Sequence, residues 1–213
     1  PRTVDITGDA TLPDCLAYLT PGDPNQILII TEWENRSVDV DSHMIIDDST
    51  DFSTAIEFPE PTIANAADPH LFWGNPVYRG SGDTDLVRLD RDIALADLNK
   101  GAPAVETVRI ISCPFTDQTG WLKFYLHSYK DANTDSHELT GYSGGSIKEA
   151  RATIHVMQGS ELYGSFPLAT ETAESTLMAL KIKVTPNATN PANTDYAIMS
   201  TGNFDNSYRS IAK

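Results

Sequence analysis

Basic residues are scarce in this chain of 213 residues: 15 Lys and Arg stand against 30 Asp and Glu, a formal net charge of −15. A surplus of that sign repels phosphate backbones and anionic headgroups, so nucleic acid is excluded as a partner and docking on a charged bilayer is opposed. Long apolar runs are missing too. Nothing approaches the roughly 18 residues that a spanning helix needs, so no membrane insertion is expected. Cysteine is limited to Cys15 and Cys113. Paired, they would close a loop of about 100 residues and contribute roughly 4–5 kcal/mol. Unpaired, they would be buried thiols in a reducing compartment.

The signatures of catalysis are equally thin. There is no phosphate-binding loop, dinucleotide fingerprint or His-Glu-x-x-His motif, and the five histidines show no paired metal spacing. "GYSGG" (141–145) spells a Gly-x-Ser-x-Gly elbow, but that motif needs a strand before it, a helix after it and a downstream histidine free to act. Here a charged loop precedes Ser143, and His155, the histidine that follows, falls in the middle of a strand pattern. The stretch reads as a glycine-rich turn, and the chain as a non-enzyme.

What is abundant is alternation. "QILIITEW" (26–33), "SVDVDSHMII" (37–46), "VETVRIISCPF" (105–115), "WLKFYLHSYKD" (121–131), "RATIHVMQG" (151–159), "LYGSFPL" (162–168) and "LMALKIKV" (177–184) are short, β-branched or aromatic, and bounded by turn residues. "LFWGNPVYRG" (71–80) is a strand broken by a Gly-Asn-Pro turn, and 81–98 alternates in its central part. "AESTLMALKIK" carries a helical alternative, and "IALADLNK" fits a single helical turn. About nine strands with turns between them predict an all-β, two-sheet antiparallel sandwich with long polar loops. Residues 1–24 would be an N-terminal extension or edge segment, 25–185 the sandwich, and 186–213 a polar tail serving as an edge strand or inter-subunit arm. The chain opens on Pro1, which reads as a processed mature chain or an excised domain.

The acids are patterned. In "SVDVDSHMII" the alternation puts Val38, Val40 and Met44 on one face, with Asp39, Asp41 and His43 on the other. Like charges on one face need an offset. Calcium takes six to eight oxygen ligands, largely carboxylates and carbonyls, and alternating acids suit it. Four clusters qualify: Asp39 with Asp41, Asp83 with Asp85, Asp90 with Asp92, and the loop Asp131, Asn133, Asp135 as a second metal site. None is an EF-hand, because Ser136 replaces the turn glycine in the last and Met44 does so in the first. His43 and His127 with an Asp could build a zinc site; the alternative is that both fix the sandwich by cross-strand hydrogen bonds. Trp33 and Trp121 read as core, whereas Trp73, Tyr125 and Tyr142 offer stacking surface for a ligand. Sequons at Asn35 and Asn187 point to export and glycosylation.

The order of these motifs resembles the YfaP-like family of β-sandwich domains in bacterial secreted and surface proteins. Trp33 followed by "DVDSH" (39–43), "HLFWGNP" (70–76), "LDRD" (89–92), "VETVRI" (105–110), "FYLHSY" (124–129) and "ARATIHVMQGSELYGSF" (150–166) are similar to its signature segments. The chain departs from that pattern in long insertions at 47–68 and 130–147. A weaker resemblance is to TerD-like domains, carried by "RGSGDTD" (79–85), "IALADLNKGAPAVETVRI" (93–110) and "ESTLMALKI" (174–182). That family binds calcium, and the resemblance nominates Asp39, Asp41, Asp83 and Asp85 as ligands.

Together these features predict a non-catalytic, calcium-stabilised extracellular or cell-surface module for adhesion or assembly, through self-association or contact with surface proteins and glycans. The alternatives are a calcium-dependent carbohydrate- or peptide-binding module and a TerD-like intracellular stress-response protein.

Overall fold

In a computed structural model the described residues are 23–48, 69–93, 95–98, 100–102, 104–129, 147–167, 176–187, 189, 194–201 and 208–211. They form two antiparallel sheets facing each other across one apolar core, the all-β sandwich that the alternation predicts. Along the chain come β1 (Ile27–Trp33), β2 (Asp39–Asp47), β3 (His70–Leu71), β4 (Val77–Tyr78), β5 (Val87–Arg91), α1 (Leu95–Leu98), β6 (Val105–Ile110) and β7 (Gly120–Tyr129). Then follow α2 (Ile147–Ala150), β8 (Ala152–Gln158), β9 (Glu161–Pro167), β10 (Thr176–Thr185), β11 (Asp195–Ser200) and β12 (Tyr208–Ile211). The first sheet runs β4-β5-β6-β1-β8-β9 and the second β12-β11-β10-β7-β2-β3.

Parity decides what is buried. Ile27, Ile29 and Trp33 of β1, Val108 and Ile110 of β6, and Ile154 and Val156 of β8 point inward from the first sheet. Val40, Met44 and Ile46 of β2 with Leu122, Phe124 and Leu126 of β7 meet them from the second. On the outer face of the first sheet, Ile30, Val105 and Met157 form a small separate cluster. Trp33 is buried, and its indole N–H donates to the Val38 carbonyl at 2.8 Å, clamping the β1–β2 turn.

Two expectations are refined in detail. The segment 71–80 is split into the two-residue strands β3 and β4, because Phe72 and Asn75 pair across a tight Trp73-Gly74 turn. The part of "AESTLMALKIK" from Thr176 onward is the strand β10, flanked by β7 and β11, with a bulge between Met178 and Leu180 that buries Ala179 and Leu180 in succession. That doubled apolar pair imitates a helical period. Residues 95–98 do form a helical turn. Within 186–213, β11 and β12 extend one edge of the second sheet.

Of the two alternatives for the cysteines, Cys113 is a free thiol, whose Sγ–H donates to the Phe115 carbonyl at 3.1 Å. Cys15 lies outside the described residues, as do Ser143 and the loop Asp131, Asn133, Asp135.

Candidate functional site: an acid and histidine nest on β2

Every residue of β2 from Asp39 to Ile46 is buried, on the outward parity as well as the inward one. The register sets Asp41 opposite His127 and His43 opposite Tyr125 on β7. Asp39 shares their parity and is buried as well. On the other side of β2 the ladder is short, since β3 pairs only with Met44 and Ile45. The main-chain N–H of Ser42 therefore lies beyond the last rung and needs an acceptor. Glu106 of the opposite sheet supplies it, its Oε2 accepting from Ser42 at 2.6 Å. Oε1 of Glu106 accepts the Ile93 N–H at 3.3 Å, and Ser42 Oγ donates to Thr31 Oγ1 at 3.3 Å. A carboxylate at the core parity of β6 thus stitches the two sheets together.

Asp92, just after β5, completes an acidic group. One ligand oxygen from each of Asp41, Asp92 and Glu106 lies within 4.8 Å of the other two; Asp41 and Glu106 are buried and Asp92 is exposed. Burial lifts the Glu106 carboxyl well above the ordinary range, and the charges of Asp41 and Asp92 lift it further. Asp41 is raised by burial, with His127 opposing and Asp92 adding to the rise. Asp92 is raised by desolvation, against a hydrogen bond with Glu106. Three acids that mutually resist ionisation are offset either by protons or by a cation. Two calcium bonds of about 2.3–2.6 Å span up to roughly 5 Å, so the spacing suits a calcium-sized ion.

A second group shares Asp41. Ligand atoms of Asp41, His43 and His127 also lie within 4.8 Å of one another, and all three residues are buried. Nδ1 of His43 is 3.1 Å from Nε2 of His70. Burial holds the His43 imidazole well below its ordinary pKa, and the neighbouring His70 and His127 push it the same way, so it is neutral. Phe72 stacks on His43 with centroids 6.0 Å apart and planes 6° from parallel. The turn that delivers His70 and Phe72 depends on Gly74, where a Cβ would stand 2.5 Å from the Phe72 ring. Asn75 secures it by donating from Nδ2 to the His70 carbonyl at 2.8 Å.

Of the acids expected to bind metal, the structure brings together Asp41 and Asp92. Asp85 is instead paired with Arg79 at 2.7 Å and lies 3.8 Å from Arg88. Asp90 lies between Arg88 at 2.6 Å and Arg109 at 2.5 Å. Arginine thus supplies the counter-charge to Asp85 and Asp90. Asp83 is exposed in the β4–β5 loop. Glu106 and His70 were not anticipated. The signal for Glu106 was present: it shares the parity of Val108 and Ile110, an acid written into an apolar face. Asn35 and Asn187 sit in loops, their Oδ1 atoms accepting the N–H of Ser37 and of Thr189, each at 3.1 Å. Trp73 is 39% exposed, beside Phe72. A cleft of about 500 Å³ lined by Ile46, Tyr78, Phe115 and Gln118 contains none of the clustered ligands.

Fold and site define a two-sheet β-sandwich with a buried nest of acids and histidines. No protein-family model matches the chain, and no curated protein matches it in sequence. Two solved structures are similar to it at TM-scores below 0.5. One is SAV2460, a protein of unknown function, with a TM-score of 0.48 and 8% identity over 88% of this chain and 89% of that one. The other is SCO6318 from Streptomyces coelicolor A3(2), a homologue of the telluride resistance protein TerD, with a TM-score of 0.45 and 9% identity over 88% and 90%.

Proposed function

We propose that this chain is a non-catalytic module whose two sheets are locked by calcium held between Asp41, Asp92 and Glu106. The observation that carries this reading is the origin of the three carboxylates. Asp41 comes from β2 of the second sheet, Glu106 from β6 of the first and Asp92 from the segment after β5, and their oxygens converge within 4.8 Å. An ion there replaces mutual repulsion by a cross-link between sheets. Exposure of Asp92 gives the ion a way in, and hard oxygen ligands favour calcium over softer metals.

Such a module is rigid where calcium is plentiful, which fits an extracellular or surface setting and a role in adhesion or assembly. β9 supports assembly, since Leu162 there is 59% exposed and, among the described residues, the strand has one neighbour. A specific observation favours a second reading. The free thiol of Cys113 suits a reducing compartment, and with it the TerD-like intracellular calcium-binding alternative.

Calorimetric titration of chelator-treated protein tests the proposal. It expects a saturable calcium site at one ion per chain, weakened at least tenfold in Asp92→Asn. Heats of dilution alone in the folded wild type would overturn it. Native thiol counting then separates the two settings.

A further inference from the structure

Beside the oxygen-only cluster stands a group with different chemistry. His43 and His127 are buried on neighbouring strands, and their rings lie 5.7 Å apart and nearly perpendicular, at 87°. Two imidazoles on one tetrahedral ion with bonds of about 2.0–2.1 Å place their centroids roughly 5 Å apart. Nδ1 of His127 stands 3.9 Å from Oδ2 of Asp41. That is within about half an ångström of the ~3.4 Å between two ligands of such an ion. The contact between His43 Nδ1 and His70 Nε2 engages one nitrogen of His43. A metal-bound histidine is oriented by such a bond from its other nitrogen.

We infer that Asp41, His43 and His127 form a second cation site, for a first-row transition metal of the zinc class, with His70 as the positioning residue for His43. Asp41 then lies between two sites of different hardness, oxygen-only on the Asp92 and Glu106 side and nitrogen-rich on the other. Imidazole with one carboxylate selects zinc-class ions over calcium. The site shares Asp41 with the proposed calcium site but rests on the histidines, so either reading can fail alone.

The test uses untagged full chain, unfolded in chelator and refolded with equimolar zinc, then dialysed and assayed for metal. The expected result is close to one zinc per folded chain. Asp92→Asn retains that zinc, His127→Asn loses it, and His70→Gln binds it about 10–100-fold more weakly. Cobalt in place of zinc gives visible d–d bands in the wild type, a readout that needs no variant should His127→Asn fail to fold. Wild-type protein that refolds without retaining zinc and shows no cobalt bands overturns the inference. So does equal zinc content in folded wild type and His127→Asn. Zinc lost in folded Asp92→Asn but kept in folded His127→Asn assigns the metal to the carboxylates and overturns the histidine site alone.

Discussion

Glu106→Gln removes one negative charge from the acidic cluster and leaves the side-chain shape nearly intact. Its effect should depend in sign and size on calcium. Without the ion, Glu106 faces Asp41 and Asp92 at oxygen separations within 4.8 Å. At an effective dielectric of about 20, unit charges roughly 5 Å apart repel by about 3 kcal/mol per pair, and exposure of Asp92 screens one of the two pairs. Proton uptake by Glu106, whose carboxyl is raised by burial and by its acidic neighbours, already relieves part of that repulsion, and glutamine relieves the rest. Its amide nitrogen, however, must face one of the two main-chain N–H groups that Glu106 now accepts, from Ser42 or Ile93, at a cost of about 1–3 kcal/mol. The two effects are of similar size, so in chelator the variant should melt close to wild type. Calcium at 100 times its Kd should stabilise the wild type by about 2.7 kcal/mol. For a chain of this length that raises Tm by roughly 5–11 °C. The variant should gain almost nothing. Differential scanning calorimetry of both proteins, each in chelator and in calcium, gives the four numbers. Equal calcium-induced shifts in the two proteins would refute the placement of the ion at Glu106.

The arginine-paired acids make the converse prediction. Asp85→Ala should change stability by less than about 1 kcal/mol and leave the calcium titration as in wild type, because its partners Arg79 and Arg88 are surface groups. Gly120→Ala should destabilise by about 1–3 kcal/mol in urea titration, since the new methyl group collides with the buried ring of Phe115. Lys123 is buried on β7 and forms an ion pair with Asp47. Asp47→Asn should cost toward the lower end of about 3–5 kcal/mol by equilibrium unfolding, because the aspartate is itself partly exposed.

The strands were legible where one face is apolar. "ILIITEW" and "VETVRI" each pair in register with their neighbours as the alternation suggests, and β2 divides its valines from its acids across the two faces. What alternation hides is the destination of a polar face. The parity of Asp41 and His43 says that they share a side, not that the side is buried or that His127 stands opposite. His70 reaches His43 only because β3 pairs back on β2. Glu106 was concealed by a reasonable habit of reading, in which an acid within a strand is assigned to solvent. The Asp-x-Asp spacing marked Asp85 and Asp90 as readily as Asp41, and spacing cannot say which acid meets an arginine. Arg88 and Asp90, two residues apart on β5 and so on one side of the strand, were the available hint.

A crystal structure of protein grown in calcium tests the central claim most directly. The account predicts a spherical density peak bonded to oxygens of Asp41, Asp92 and Glu106 at about 2.3–2.6 Å. Glu106 instead hydrogen-bonded through a proton to Asp92, with water alone beside them, would contradict it.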